Sequence, residues 1–260
     1  MLLLKLLVVP GLVAVVTLAV RRWGPAVGGW LAGLPIVAGP VLVFYALEQG
    51  DAFAARAAHA TLAGLIATVA FAVTYAVTCR RFPWYGCMVI GWCVFAVAVV
   101  LLHTVEPGLV VSVVLLVAST VAGRRMLGNE PASPEPRSGV GGDPWDLPIR
   151  LLATAVLVLL LTGLAARLGP AWSGLLNAFP VLTTIVAVFS HAQRGAAAAA
   201  AFLHGYLQAI PGFGLFCTVM TIALGSSGLW RALAAALAVQ LAWHAAVVFR
   251  TARSAAFLRS

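Results

Sequence analysis

Residues 24–40 read Gly-Pro-Ala-Val-Gly-Gly-Trp-Leu-Ala-Gly-Leu-Pro-Ile-Val-Ala-Gly-Pro, and residues 169–185 read Gly-Pro-Ala-Trp-Ser-Gly-Leu-Leu-Asn-Ala-Phe-Pro-Val-Leu-Thr-Thr-Ile. The two stretches align without a gap at an offset of 145 residues. The match runs from Arg22 through Leu65 onto Arg167 through Ile210, with 16 of 44 positions identical. Arg22, Gly24, Pro25, Ala26, Gly29, Leu31 and Pro35 fall on Arg167, Gly169, Pro170, Ala171, Gly174, Leu176 and Pro180. Phe44, Gly50 and His59 fall on Phe189, Gly195 and His204. An alanine-rich apolar chain yields some identities by chance, but not Gly-Pro, Gly, Pro, Phe, Gly and His in one register. Lys5 on Arg150, Thr17 on Thr162 and Phe71 on Phe216 carry the register further. The chain reads as two homologous units, and the way they are joined decides the fold.

Composition names the class. The chain is 63% hydrophobic and 9% charged, with a mean hydropathy of +1.06. A soluble domain of this length carries far more charge. Several apolar runs reach the roughly 20 residues that cross a bilayer as helix, and they are continuous rather than alternating, which argues against a membrane barrel. The expected fold is an all-α integral membrane protein with the lipid bilayer as its main partner. The formal charge of +9 does not point to nucleic acid. Its basic residues stand singly or in pairs at the ends of apolar runs, where topology signals lie. Cys79, Cys87, Cys93 and Cys217 form no C-x-x-C pair and read as small packing residues. Lys5 followed by an apolar run to Val20 resembles a signal peptide. The absence of a small-x-small cleavage site and the Arg21-Arg22 pair that follows favour a retained helix.

Apolar runs and their breakers predict nine spans, at 2–20, 25–47, 52–78, 84–102, 107–123, 148–166, 170–192, 196–224 and 229–249. Between the halves lies a polar segment, 124–146, with Pro131, Pro134, Pro136, Pro144, four glycines and most of the acids. The division is therefore 1–123, a first repeat unit plus an extra helix; 124–146, a cytoplasmic linker; and 147–260, a second unit. Span 107–123 has no counterpart in the second unit. If it crosses, the second unit is inverted relative to the first. Basic residues favour crossing. With nine spans and the N-terminus outside, twelve basic residues lie inside and Lys5, Arg56, Arg167 and Arg231 lie outside; eight spans give at best ten and six. The positive-inside rule thus predicts inverted repeats in a bacterial inner membrane, N-terminus out and C-terminus in.

The second span of each unit carries the candidate site. Pro25 and Pro170 suit a first helical turn, where the missing N–H costs nothing. Pro35 and Pro180 are interior, and each removes a backbone hydrogen bond and crowds the carbonyl four residues earlier. The carbonyls of Leu31 and Leu176 are expected to lose their usual partner, and Pro40 does the same to Ile36. In hydrocarbon such groups need protein, water or ligand. Matching Pro-broken helices in inverted repeats are the sequence pointer to a transporter's central site. Asn177, Thr183 and Thr184 surround Pro180 and offer polar contacts, whereas their first-unit equivalents are Ala32, Ala38 and Gly39. Against this, Gly29-x-x-x-Gly33 and Gly174-x-x-x-Ala178 also suit plain close packing of helices. Half-helix N-termini favour anionic groups, so a small anion is the preferred cargo.

His59 and His204 match across the repeat. A paired intramembrane histidine can carry protons or touch substrate; the structural reading, a buried histidine bonded to a neighbouring carbonyl, weighs more. His103, His191 and His244 have no repeat partner. All seven acids fall in loops or at span ends, which leaves no Asp/Glu proton relay within the membrane. H-E-x-x-H, G-x-S-x-G and Walker signatures are missing, so neither a catalytic residue, a metal site nor a cofactor is expected, and the chain reads as a non-enzyme.

Ser173-Gly174-Leu175 through Pro180-Val181 to Gln193-Arg194-Gly195, with Gly29-Trp30-Leu31 through Pro35 to Glu48-Gln49-Gly50, resembles the pattern of the GlpM-like family of small bacterial inner-membrane proteins. Members look like single four-helix units, and GlpM itself is associated with alginate production. The resemblance covers most of both halves. The present chain departs from it as a fused duplication with an extra helix. Two functions are therefore in view, with a lipid-processing enzyme as a third reading behind them. The first is a small-molecule secondary transporter with its site at Leu31, Pro35, Leu176, Asn177, Pro180, Thr183 and Thr184, with His59 and His204 near it. The second is a non-transporting accessory protein, related to the envelope or exopolysaccharide, that scaffolds a membrane partner or a second copy of itself.

Overall fold

The computed structural model describes residues 2–35, 38–128, 148–149, 151–153, 155–156 and 169–257. Ten helices are delimited: α1 (Leu2–Trp23), α2 (Pro25–Ala32), α3 (Ala38–Gln49), α4 (Asp51–Thr78), α5 (Trp84–Val105), α6 (Leu109–Leu127), α7 (Gly169–Asn177), α8 (Val181–Arg194), α9 (Ala196–Ser227) and α10 (Leu229–Phe257). The described residues contain no strand. Five stretches among them are long and apolar enough to cross a membrane: Asp51–Thr78, Trp84–Val105, Leu109–Leu127, Ala171–Arg194 and Ala196–Ser227. The chain is an all-α protein of membrane-protein character. Most of the expected span 148–166 and most of the expected linker lie outside the described residues.

Local chemistry explains the boundaries. Gly24 turns the chain at φ 92 and Pro25 opens α2 at its first turn. Gly50 and Gly195, repeat equivalents, adopt φ 85 and φ 86 and start α4 and α9 in the same way. Both expected proline-broken spans are divided in two: α2 stops at Ala32 before Pro35, and α7 stops at Asn177 before Pro180. Pro40 behaves differently from expectation. It falls in the first turn of α3, where its missing N–H removes no intrahelical bond; Ile36 lies outside the described residues. Pro211, which the span pattern did not single out, is accommodated inside the 32-residue α9.

Two long helices, α4 and α9, form the centre. They are repeat equivalents, and they touch each other in opposite directions. Cys79, just past the end of α4, brings its Sγ to 3.6 Å from the carbonyl of Ala196 at the start of α9. Further along, Leu62 of α4 reaches Gly214 of α9. Around this pair the broken helices are exchanged. α2 of the first unit packs on α9 of the second, and α7 of the second packs on α4 of the first, while α3 stays on α4 and α8 on α9.

The exchange obeys the 145-residue shift. Gly29 lies against the backbone of Phe202 and Tyr206, and Gly174 lies against the backbone of Ala57 and Thr61. Gly33 meets Ala209, and the swapped pair, Ala178 and Gly64, leaves only 2.7 Å between the Ala178 methyl and a Cβ added at Gly64. Each contact is matched by another with its residue numbers shifted by 145. Small residues permit it, since backbone meets backbone at these crossings.

The unmatched helix α6 packs on both α4 and α9. Leu116 fills the notch at Gly214, and Gly123 receives Val73. Its 19 residues rise about 28 Å, close to the roughly 30 Å of a hydrocarbon core. Outward faces of the outer helices are apolar: Val97 of α5, Val110 of α6 and Leu241 of α10 are 70%, 75% and 60% exposed. A water-soluble surface would not present so much contiguous apolar area.

Candidate functional site

The two breaks have the same hydrogen-bond pattern. At the first, the Gly33 N–H donates to Gly29 and Trp30 carbonyls at 3.2 and 3.3 Å, and the Leu34 N–H donates to Leu31 at 3.0 Å. At the second, the Ala178 N–H donates to Gly174 and Leu175 at 3.3 and 3.2 Å, and the Phe179 N–H donates to Leu176 at 3.0 Å. This tightening of the last turn corrects the expectation for Leu31 and Leu176. Their carbonyls lose the i+4 donor to proline and gain the i+3 donor instead. The carbonyls that need outside partners lie two residues further on. Gly33 O accepts from Gln240 Nε2 of α10 at 3.4 Å, and Ala178 O accepts from Thr68 Oγ1 of α4 at 2.7 Å. Pro35 O and Pro180 O then start the next helices, accepting from Gly39 N–H at 2.8 Å and Thr184 N–H at 2.7 Å.

Side chains from both units converge where the breaks meet. Asn177 Nδ2 lies 3.5 Å from Ala38 O and 3.3 Å from Thr61 Oγ1. Thr61 Oγ1 is 2.8 Å from Ala57 O and 3.1 Å from Gly174 O, so its single proton serves one carbonyl at a time. Thr183 is hydrogen-bonded by the buried Tyr206, and Thr184 Oγ1 accepts from Trp92 Nε1 at 3.2 Å. Between them lies a cavity of about 50 Å³ lined by Asn177, Pro180, Thr183 and Tyr206 with Ala32, Leu34, Ala38 and Phe213. That is room for a water or a small ion, not a metabolite.

Larger cavities lie toward the two ends of the bundle. One, of about 310 Å³, sits where α4 begins and α5 ends, and Arg56, His59, Leu102, His103, Glu106 and Leu175 line it. The other, of about 210 Å³, sits where α4 and α6 end and α9 begins, lined by Ala76, Arg80, Met126, Leu127, Ala200 and His204. Leu175 of the first is one helical turn from Ala178 in the central cavity; His204 of the second is two residues from Tyr206.

The expected residues are thus distributed over three spaces. Asn177, Pro180 and Thr183 line the central cavity. Pro35, Leu31, Leu176 and Thr184 shape the breaks without lining it. His59 and His204 line the two end cavities and do not meet. Sequence reasoning missed Thr61, Thr68, Trp92, Tyr206 and Gln240, whose partners are 23 to more than 200 residues away in the chain. The repeat alone held a clue, since Thr61 and Tyr206 are equivalent positions. Among the described residues no group of three or more His, Cys, Asp or Glu is arranged to hold a metal ion.

Comparisons with models of protein families, with curated proteins and with solved structures find no match for this chain.

Proposed function

We propose that the chain is a secondary transporter of small molecules, made of two inverted repeats with nine crossings, and that its gated centre is the cavity between the paired breaks. The observation that carries this reading is the succession of three spaces along α4, at residues 56–63, 65 and 76–80. A small polar cavity lies at the junction of both broken helices, with a larger cavity toward each end of the bundle. A narrow centre flanked by two wider spaces is what alternating access about a fixed central site requires. The opposite running of α4 and α9 supports inversion, as does the span-length α6 between the units. Twelve inside against four outside basic residues support a bacterial inner membrane with the N-terminus outside. The exchanged half-helices give the motion a mechanism. Rocking one unit against the other moves α2 and α7 with the opposite unit's central helix, so both breaks bend together.

The test is labelling of Thr183→Cys in a chain whose four native cysteines are replaced by alanine. A cavity of about 50 Å³ is too small to admit a membrane-impermeant thiol reagent, so modification requires it to widen. The expected result is labelling from both faces, in right-side-out and in inverted vesicles. Labelling from neither face would overturn transport and leave the accessory, scaffold reading.

A further inference from the structure

The end cavity of about 310 Å³ has a chemistry of its own. It lies between α4, α5 and α7. Its floor is apolar, from Ala60, Ala63, Leu102 and Leu175. Two opposite charges border it, Arg56 from α4 and Glu106 from the end of α5, and among the described residues neither has an ion-pair partner. Two charges of opposite sign facing one small space, and not neutralising each other, leave a carboxylate acceptor site and an ammonium site open at once. Glu106 is also the one non-glycine among the described residues with positive φ, at 43. Its left-handed conformation ends α5 ahead of Pro107 and fixes where the carboxylate leaves the helix.

A second observation lies deeper in the same wall. His59 Nε2 is buried and, among the described residues, has no hydrogen-bond partner, and a polar atom left so in a membrane protein costs free energy unless something meets it. His103 completes the rim, stacked on Trp172 with ring centroids 4.3 Å apart and planes tilted by 43°. The volume is at the low end of small-molecule sites, which run from about 300 to 1,000 Å³.

We infer that this cavity is the substrate vestibule and that it takes a small zwitterion with an apolar substituent, the chemistry of a free aliphatic α-amino acid. The carboxylate lies against Arg56 with His59 within reach, the ammonium against Glu106, and the aliphatic group on the alanine and leucine floor. The inference rests on the transport reading in treating the cavity as the way to the centre. Among the described residues, the cavity at the other end is bordered by Arg80 and by no acid.

Equilibrium binding tests it in the purified full chain, in detergent free of phosphatidylethanolamine, with L-leucine as probe and calorimetric titration as readout. L-Leucine is expected to bind, and 4-methylpentanoate and isopentylamine, which each lack one charge, to bind at least about tenfold more weakly. Arg56→Gln and Glu106→Gln are each expected to reduce leucine affinity about tenfold with an unchanged melting temperature, because both side chains are exposed and, among the described residues, unpaired. Glycerophosphoethanolamine binding in place of leucine would overturn the amino-acid assignment in favour of a lipid headgroup. Equal binding of the singly charged analogues, or no binding by any probe, would overturn it outright. Thr183→Cys labelling from both faces without leucine binding would leave transport standing and remove this substrate class; leucine binding without that labelling would do the reverse.

Discussion

Gly174→Leu, and separately Gly29→Leu, should each lower the stability of the folded chain by at least the upper end of the roughly 1–3 kcal/mol typical of overpacking. A side chain at Gly174 meets the Ala57 carbonyl, the Ala60 methyl at 2.5 Å and the Thr61 amide nitrogen at 3.0 Å. At Gly29 it meets the Phe202 carbonyl carbon and the Tyr206 amide nitrogen, both 2.8 Å from the new Cβ. The obstructing atoms are largely backbone, which no rotamer change can remove, so one helix must retreat from the other. Because the crossing joins α2 to α9 or α7 to α4, the retreat parts the two units at their exchanged contact. Gly225→Leu is the control. Gly225 is exposed on α9 with nothing within 4 Å of an added Cβ, and the change there should stay within about 0.5 kcal/mol. Thermal unfolding followed by size-exclusion chromatography reads all three. Equal melting temperatures for the three variants would refute the exchanged packing.

Cutting the chain between Ser138 and Gly139 should leave a complex of two fragments, while neither fragment alone should persist in the membrane. The reason is where the contacts fall. α2 finds its main partner in the second half and α7 finds its main partner in the first. Without the second half, Gly29 and Gly33 face no helix. Without the first, Gly174 and Ala178 lose theirs, and the Ala178 carbonyl loses the Thr68 hydroxyl. Polar groups left unpaired in hydrocarbon cost up to several kcal/mol each. Arg194 adds a further tie between halves, its Nη1 donating to Val20 O at 3.3 Å. Co-expressed fragments should therefore purify together at one to one. Two fragments that are each stable alone and fail to associate would show that the units fold independently, contrary to the exchange.

The sequence discloses the elements of this fold better than their partners. The register of Gly24-Pro25 on Gly169-Pro170 and of Pro35 on Pro180 locates both breaks, because proline's missing donor and fixed φ act locally whatever surrounds them. Gly29-x-x-x-Gly33 signals a close helix crossing, again from local geometry. What it does not signal is that the helix crossed belongs to the other unit, since contacts between residues 29 and 202 leave no trace in spacing. The candidate site divides along the same line. Asn177 and Thr183 are legible as polar residues beside a break. The groups that quiet the exposed carbonyls, Gln240 for Gly33 and Thr68 for Ala178, come from distant helices with no periodic mark. The leucine carbonyls at 31 and 176 were the natural suspects, and a single tightened turn resolves both. Pro211 makes the converse point, since a proline that breaks one apolar run is absorbed by another when neighbours hold the helix on both sides.

The proposed transport centre with a vestibule on each side of the membrane depends on one proposal, that the second unit is inverted relative to the first. Reporter fusions after His103 and after Glu135 test it directly, using an enzyme active only in the cytoplasm and one active only outside. Inversion predicts that His103 reports outside and Glu135 inside, with a crossing by α6 between them. Both positions reporting from the same side would contradict it.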